Sequence, residues 1–322
     1  MRTLLLAPLV VVVLLLLLGS PLAAQARPRA FVTNEKSNDV TVIDLLTAKV
    51  VKTIPVGQRP RGISASPDGT QVYVSNSNSN SLTVIDVRTL AVVKTVPAGE
   101  DPEGLTLSLD GKFLYVVNEN ELAATIIELP ALAVVKKVQV GTEPETAILS
   151  PDGRWVTVSN ETSNDVYVID TATNAVVKRI EVPKNPRGMR FTADGTRLFV
   201  CSEAANTLSV IDVATWTLSR SVETGGLRPV DARLSLDGRR LFVSHGGSGE
   251  VRVFDADSLA LLRTIPVGPR AWWTALSPSG EYLYVTVGRQ NEVAVINTQS
   301  DSVVDRIKVG TLPWGITIAD VP

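Results

Sequence analysis

The sequence predicts an all-β, seven-bladed β-propeller of four-stranded blades, and three observations carry that expectation. An entry of the Gly-x-x-Pro type recurs at Gly57, Gly99, Gly141, Pro183, Gly226, Gly268 and Gly310, at spacings of 42, 42, 42, 43, 42 and 42 residues. Every period contains short alternating β-branched runs separated by turn residues. The two ends of the chain each carry the part of a period that the other lacks. A fixed period of about forty residues, filled with strand patterns, belongs to a radial repeat architecture.

The first 26 residues stand apart. Arg2 gives a positive start, Leu4 to Leu18 an apolar run, and Ala24-Gln25-Ala26 a small-x-small cleavage site, the pattern of a signal peptide removed after Ala26. A retained membrane anchor is the alternative. The run is short for a span of about 20 residues, and Gly19-Ser20-Pro21 breaks it. No Cys lies near the cleavage site to carry a lipid. The expected organisation is a leader, 1–26, and one propeller domain, 27–322. The expected location is periplasmic or secreted, without stable membrane insertion after cleavage.

The 322 residues carry 31 basic and 33 acidic side chains, a formal net charge of −2; without Arg2 the balance is −3. No basic block stands out, which excludes the electrostatic footprint of a nucleic-acid binder. Cys201 is the only cysteine, so no intrachain disulfide forms. A ring of this size buries enough core without one.

Each period reads as four strands. In the first, Ile63-Ser64-Ala65 leads into the turn Ser66-Pro67-Asp68-Gly69, whose Pro, Asp and Gly each suit a turn position. Gln71 to Asn76 alternates and is β-branched, a second strand. A polar loop, Asn76 to Ser81, precedes a third strand, Leu82 to Asp86, and a fourth runs from Ala91 to Val96. Equivalent turns lie at Asp110-Gly111, Asp152-Gly153, Asp194-Gly195, Asp237-Gly238 and Ser279-Gly280. Third strands end at Asp44, Glu128, Asp170, Asp212, Asp255 and Asn297. Both acid ladders read as turn chemistry. At the ends, residues 30–56 hold a second, third and fourth strand, while 310–320 hold only a first. Joined, they make one composite blade beside six continuous ones, and closure hides edges that an open array would expose.

The runs Phe31-Val32-Thr33-Asn34, Tyr73-Val74-Ser75-Asn76 and Tyr115-Val116-Val117-Asn118, each with its Val-Ile-Asp-type partner, resemble the YVTN-repeat β-propellers. More narrowly, AFVTNEKSNDVTVIDL, VGQRPRGISASPDG and VGTLPWGIT resemble exported propellers associated with quinoprotein (PQQ)-dependent alcohol catabolism in bacteria. The resemblance spans about residues 30–318. It implies a periplasmic quinoprotein dehydrogenase or a c-type cytochrome as partner, and no particular activity.

Catalytic motifs are scarce. No Cys-x-x-Cys-His, Walker loop or dinucleotide fingerprint occurs. His245 is the only histidine, so no multi-histidine metal site exists. Its segment, Ser244 to Glu250, is superficially like an oxyanion loop but joins two antiparallel strands, and His245 reads as a loop residue. Cys201 replaces the Ser or Thr of other repeats and reads as a buried, inert thiol. The Asn-rich loops at 75–80 and 160–165 lack calcium-loop spacing and read as turn chemistry.

Repetition offers a sharper criterion, because structural positions resemble one another in every blade and a site must break the symmetry. The residue after the entry proline is the most varied. In ring order it is Trp314, Arg61, Glu103, Glu145, Arg187, Val230 and Trp272. These side chains are expected at the mouth of the central channel, with Trp273, Arg270, Arg228 and Arg59 on the same rim. One reading makes Arg61–Glu103 and Glu145–Arg187 inter-blade ion pairs and the tryptophans plugs. The other makes the mouth a site that offers aromatic faces and guanidinium forks to a planar or carboxylated ligand, such as PQQ or a related aromatic acid.

The composite reading is a non-enzymatic binding or scaffold propeller, accessory to quinoprotein alcohol oxidation, with no catalytic or metal-ligating residues assigned. A lactonase-like hydrolase and a cell-surface structural or adhesion protein are the alternatives. Fold alone does not separate them.

Overall fold

The computed structural model describes residues 27–321, so the expected leader and its cleavage site lie outside the described residues. Twenty-eight strands form seven four-stranded antiparallel sheets, with short 3₁₀ turns at Ser77–Ser79 and Gly288–Gln290. Among the described residues no helix is long and apolar enough to cross a membrane.

The composite blade has the expected order. Pro313–Val321 is innermost and pairs with Arg27–Asn34, which is followed by Asp39–Asp44 and Lys49–Pro55. Outward from the channel, the first blade holds Pro60–Ala65, Gln71–Asn76, Ser81–Asp86 and Ala91–Pro97. The second blade starts at Pro102–Leu107, the third at Pro144–Leu149 and the fourth at Pro186–Phe191. The fifth starts at Pro229–Leu234 and the sixth at Ala271–Leu276. Inner strands begin at the entry residue itself, three residues earlier than Ile63 suggests.

Cores lie between adjacent blades. The composite blade packs Phe31, Val40 and Val42 against Val72, Val74 and Ile85 of the first blade. Its opposite face sets Ala30, Val32 and Ile316 against Tyr284, Val293 and Val295 of the sixth. It therefore closes the ring by burial on both faces as well as by hydrogen bonds. The outermost strands are mostly exposed and carry lysines such as Lys52 and Lys94, a composition that discourages further pairing at an edge.

Both acid ladders do the work expected of them. Asp68 accepts the Thr70 N–H at 3.0 Å, and Gly69 takes the positive φ of 69° that the turn requires. Asp86 accepts the Thr89 N–H at 2.6 Å. Asp44, Asp170, Asp212, Asp255 and Asn297 behave alike. Glu128 departs: it makes no such bond among the described residues, and Ala131 stands where the other turns have a Thr or Ser hydroxyl. The Asn-rich loops are also structural. Asn38, Asn80, Asn164, Asn206 and Asn291 each accept, through the side chain, the N–H of the residue before the next blade's entry.

Candidate functional site

Two local devices aim the mouth residues. The inner strand slips register just past its entry, pairing Pro60 with Asn76 and then Ile63 with Val74; similar bulges recur in the other blades. A bulge of this kind turns a side chain off the sheet. A hydroxyl from the preceding blade then fixes the carbonyl of five of the seven mouth residues. Thr33 donates to Arg61 O at 2.8 Å, Ser159 to Arg187 O at 2.7 Å and Thr286 to Trp314 O at 2.9 Å. Ser75 and Ser244 serve Glu103 and Trp272 in the same way. Cys201 sits in this column, fully buried, and burial pushes its thiol well above the usual range. It is a buried thiol, as expected.

The expected ion pairs form. Arg61 holds Glu103 at 2.7 Å, and Arg187 pairs with Glu145 across the next blade boundary. The network is larger than the sequence reading, because a second column, one residue past the Tyr-Val-x-Asn run or its equivalent, carries an acid in four of the seven blades. Glu35 receives Arg61 at 3.3 Å, Arg59 at 3.4 Å and Arg270 at 2.9 Å. Glu161 lies 2.7 Å from Arg187, and Glu203 bonds both Arg187 and Arg228. Glu119 has the same place in the second blade. The signal for this column was the same broken symmetry, Glu35, Ser77, Glu119, Glu161, Glu203, Gly246 and Gly288, one residue beyond the motif.

Charge is divided unequally around the ring. The second and third blades offer Asp101, Glu103, Glu119, Glu143, Glu145 and Glu161; the fifth and sixth offer Arg228 and Arg270 with glycines in the acid column. Burial pushes the Glu103 carboxyl well up, and the neighbouring Glu145 adds to it against Arg61. Glu161 is pushed up to about 8 by burial and then by Glu145. Burial and the Asp101 charge raise Glu119. Burial also acts to raise Glu35, but Arg61 and Arg270 outweigh it and its pKa falls. Carboxylate oxygens of Asp101, Glu103 and Glu119 lie within 4.8 Å of one another, the one group among the described residues with metal-ligand proximity. Arg59, 3.3 Å from Asp101 and 3.9 Å from Glu103, already supplies positive charge there.

On the basic side a cavity of about 380 Å³ is lined by Arg61, Arg187, Arg228, Arg270, Arg289, Trp272, Trp314, Gly246, Gly247 and Pro269. Five guanidiniums line it and no carboxylate does. Arg187 is saturated by three acids, whereas Arg270 gives a single nitrogen to Glu35 and Arg289 makes no ion pair among the described residues.

Several expectations are corrected here. Trp272, Trp273 and Trp314 do cluster, with Val230 beneath them and the Trp273 and Trp314 rings 5.0 Å apart. Yet Trp272 and Trp314 are only 4% and 3% exposed, so their faces are not open. Guanidiniums cover them: Arg270 lies 4.8 Å, Arg187 5.3 Å and Arg228 5.8 Å from the Trp272 ring, and Arg61 5.7 Å from Trp314. The side chain reach of arginine, which a residue column does not display, puts cation on top of aromatic. Trp273 is not on the arginine-lined rim. It lines a second cavity further along the channel, since the strand bulges between Ala271 and Thr274 and turns the two indoles apart. His245 closes a strand, Arg240–His245, and is buried instead of lying in a loop; burial lowers its pKa to about 4. The oxyanion likeness fails on the backbone too, since Gly246 and Gly247 donate their N–H groups to Arg228 O and Leu227 O. A side chain at Gly246 would strike the Trp272 ring, with a Cβ 2.5 Å from it, so this glycine is what lets the loop close over the indole.

A family model described as "Lactonase, 7-bladed beta-propeller" matches residues 23–139, and one described as "YNCE-like beta-propeller" matches residues 147–235. No curated protein matches the chain significantly. Among solved structures, Kuenenia stuttgartiensis hydrazine synthase is 24% identical, with a TM-score of 0.76 over 83% of this chain and 92% of that one. A functionally unknown protein from Desulfotomaculum acetoxidans DSM 771 is 17% identical, with a TM-score of 0.79 over 90% of this chain and 98% of that one. The dihydro-heme d1 dehydrogenase NirN in complex with DHE is 19% identical, with a TM-score of 0.71 over 90% of this chain and 74% of that one. These likenesses are of fold. With the seven sheets, they make the chain a seven-bladed β-propeller.

Proposed function

We propose that this seven-bladed propeller is an exported, non-enzymatic binding protein whose channel mouth receives a flat, multiply anionic small molecule. The observation that carries the reading is the cavity walled by five guanidiniums and no carboxylate, beside an acidic sector of the same rim. Arg270 and Arg289 retain donors for a carboxylate fork, and the acids across the mouth orient an anion toward them. Because cations cover the indoles, recognition rests first on charged hydrogen bonds, worth about 1.5–3 kcal/mol each. Trp272 and Trp314 serve as the platform that holds the guanidiniums in place. After ordering costs, an affinity on the order of micromolar follows. Within this reading the ligand is PQQ or a related aromatic acid, and the partner a periplasmic quinoprotein dehydrogenase or c-type cytochrome. The segments at 30–45, 56–69 and 309–317, which resemble quinoprotein-associated propellers, support that finer step.

Hydrolysis of a lactone is the second reading. It is favoured by the lactonase match over residues 23–139 and by Glu161, whose pKa of about 8 suits a general base near neutral pH. One set of assays separates the two. PQQ should quench tryptophan fluorescence saturably, Arg270→Ala should weaken it about tenfold, and sugar-acid lactones should be turned over no faster than in buffer. Turnover abolished by Glu161→Gln, without PQQ binding, would instead establish the hydrolase.

A further inference from the structure

We propose that the second cavity, inside the channel, is a binding site for a small monovalent anion with an apolar flank, of the short-chain monocarboxylate class. The cavity measures about 120 Å³ and is lined by Arg233, Thr146 and Trp273 among apolar groups such as Ile63, Leu105 and Ile316. Three donors on residues that line it, Arg233 Nε, Thr146 Oγ1 and Trp273 Nε1, are buried and have no hydrogen-bond partner within the protein. Buried donors are normally paired, so three around one cavity point to an acceptor.

The local charge sets the sign and size of that acceptor. Arg190 and Arg233 occupy the position four residues after the entry proline in two adjacent blades, where the others carry Ser64, Thr106, Ile148, Ala275 and Thr317. Arg190 donates to Ala232 O at 3.3 Å and has no carboxylate partner among the described residues. Asp231 is the one acid beside the pair, 3.7 Å from Arg233, and its Oδ2 already accepts the Thr274 N–H and hydroxyl at 3.0 and 2.6 Å. Two guanidiniums against one carboxylate leave a single positive charge. Burial lowers the pKa of both arginines, and Arg233 repels Arg190 further, as expected for cations short of counter-charge. An apolar cavity of about 150 Å³ holds benzene, so one of about 120 Å³ suits a short carboxylate. Its head would meet Arg233 and Thr146, and its tail the apolar wall.

The test titrates sodium butyrate, and neutral butyramide as control, at constant ionic strength, reading tryptophan fluorescence and melting temperature. Butyrate should quench saturably and raise the melting temperature; butyramide should do neither. Arg233→Met should weaken binding at least tenfold, Thr146→Val a few-fold with an unchanged melt, and exposed Lys94→Gln not at all. If Arg233→Met fails to fold, Thr146→Val decides. Equal responses to butyrate and butyramide would overturn the proposal. So would wild-type titrations in Thr146→Val, or loss of the response only in Arg270→Ala, which would place the anion at the mouth.

Discussion

The two faces of the ring use carboxylates in opposite ways. On the face that holds the strand-ending turns, acids repeat blade after blade and bond locally, as Asp68 does to Thr70 and Asp86 to Thr89. These bonds lower their pKa values, to about 2 for Asp194. At the mouth the acids do not repeat. They are buried and reach guanidiniums as far as 42 residues away; burial pushes Glu103 and Glu161 upward, while Arg61 and Arg270 hold Glu35 down. An acid that repeats builds the blade; an acid that breaks the repeat answers to its neighbours across the channel. Only the second kind gives the ring a polarity.

The largest expected effect tests whether the ring itself is closed as described. Deleting residues 310–322 removes the innermost strand of the composite blade and uncovers two packed faces. Aggregation or collapse of the thermal transition is expected, and a variant that melted like the full chain would break the account of closure. Next comes Arg187→Met, which strands Glu145 and Glu161 in a buried site and leaves Glu203 with Arg228 alone. Removing one partner of a buried network costs about 3–5 kcal/mol, readable by urea unfolding.

The pH dependence separates two buried groups by sign. His245 is neutral in the fold, with a pKa of about 4 against 6.5, so its contribution is complete above pH 6.5 and is lost as pH falls toward 4. The full effect is about 3 kcal/mol. Glu161 runs the other way. Its pKa is raised from 4.5 to about 8, so its contribution is complete below pH 4.5 and is lost as pH rises through 8. His245→Gln should remove the acid limb of a melting-temperature profile, and Glu161→Gln should flatten the limb from pH 4.5 to 8. The smallest effect belongs to the repeating face. Asp68→Asn keeps an acceptor for Thr70 and should shift melting by no more than about 1–2 °C, sharpening the contrast with Arg187.

Much of this was legible because a repeat supplies its own comparison. The period, the complementary ends and the Arg61, Glu103, Glu145, Arg187 column led directly to the ring, its closure and the ion pairs. The column from Glu35 to Glu203 was equally visible one residue past the motif. Trp273 could not be separated from Trp272 in the sequence, since the bulge between Ala271 and Thr274 that parts them is a matter of register. The covering of Trp272 and Trp314 could not be read, since it depends on how far Arg187, Arg228 and Arg270 extend across blade boundaries. Nor could the inner cavity, whose walls come from strands of six blades.

The central claim is that the arginine-lined side of the mouth binds a flat polyanion. Calorimetric titration of correctly folded protein with PQQ and a panel of aromatic acids, at low and high salt, tests it most directly. The account predicts saturable heat, an affinity on the order of micromolar that weakens with salt, and a marked loss in Arg270→Ala. Absence of heat with every ligand at low salt would contradict it and leave the mouth as ion pairs over a tryptophan plug.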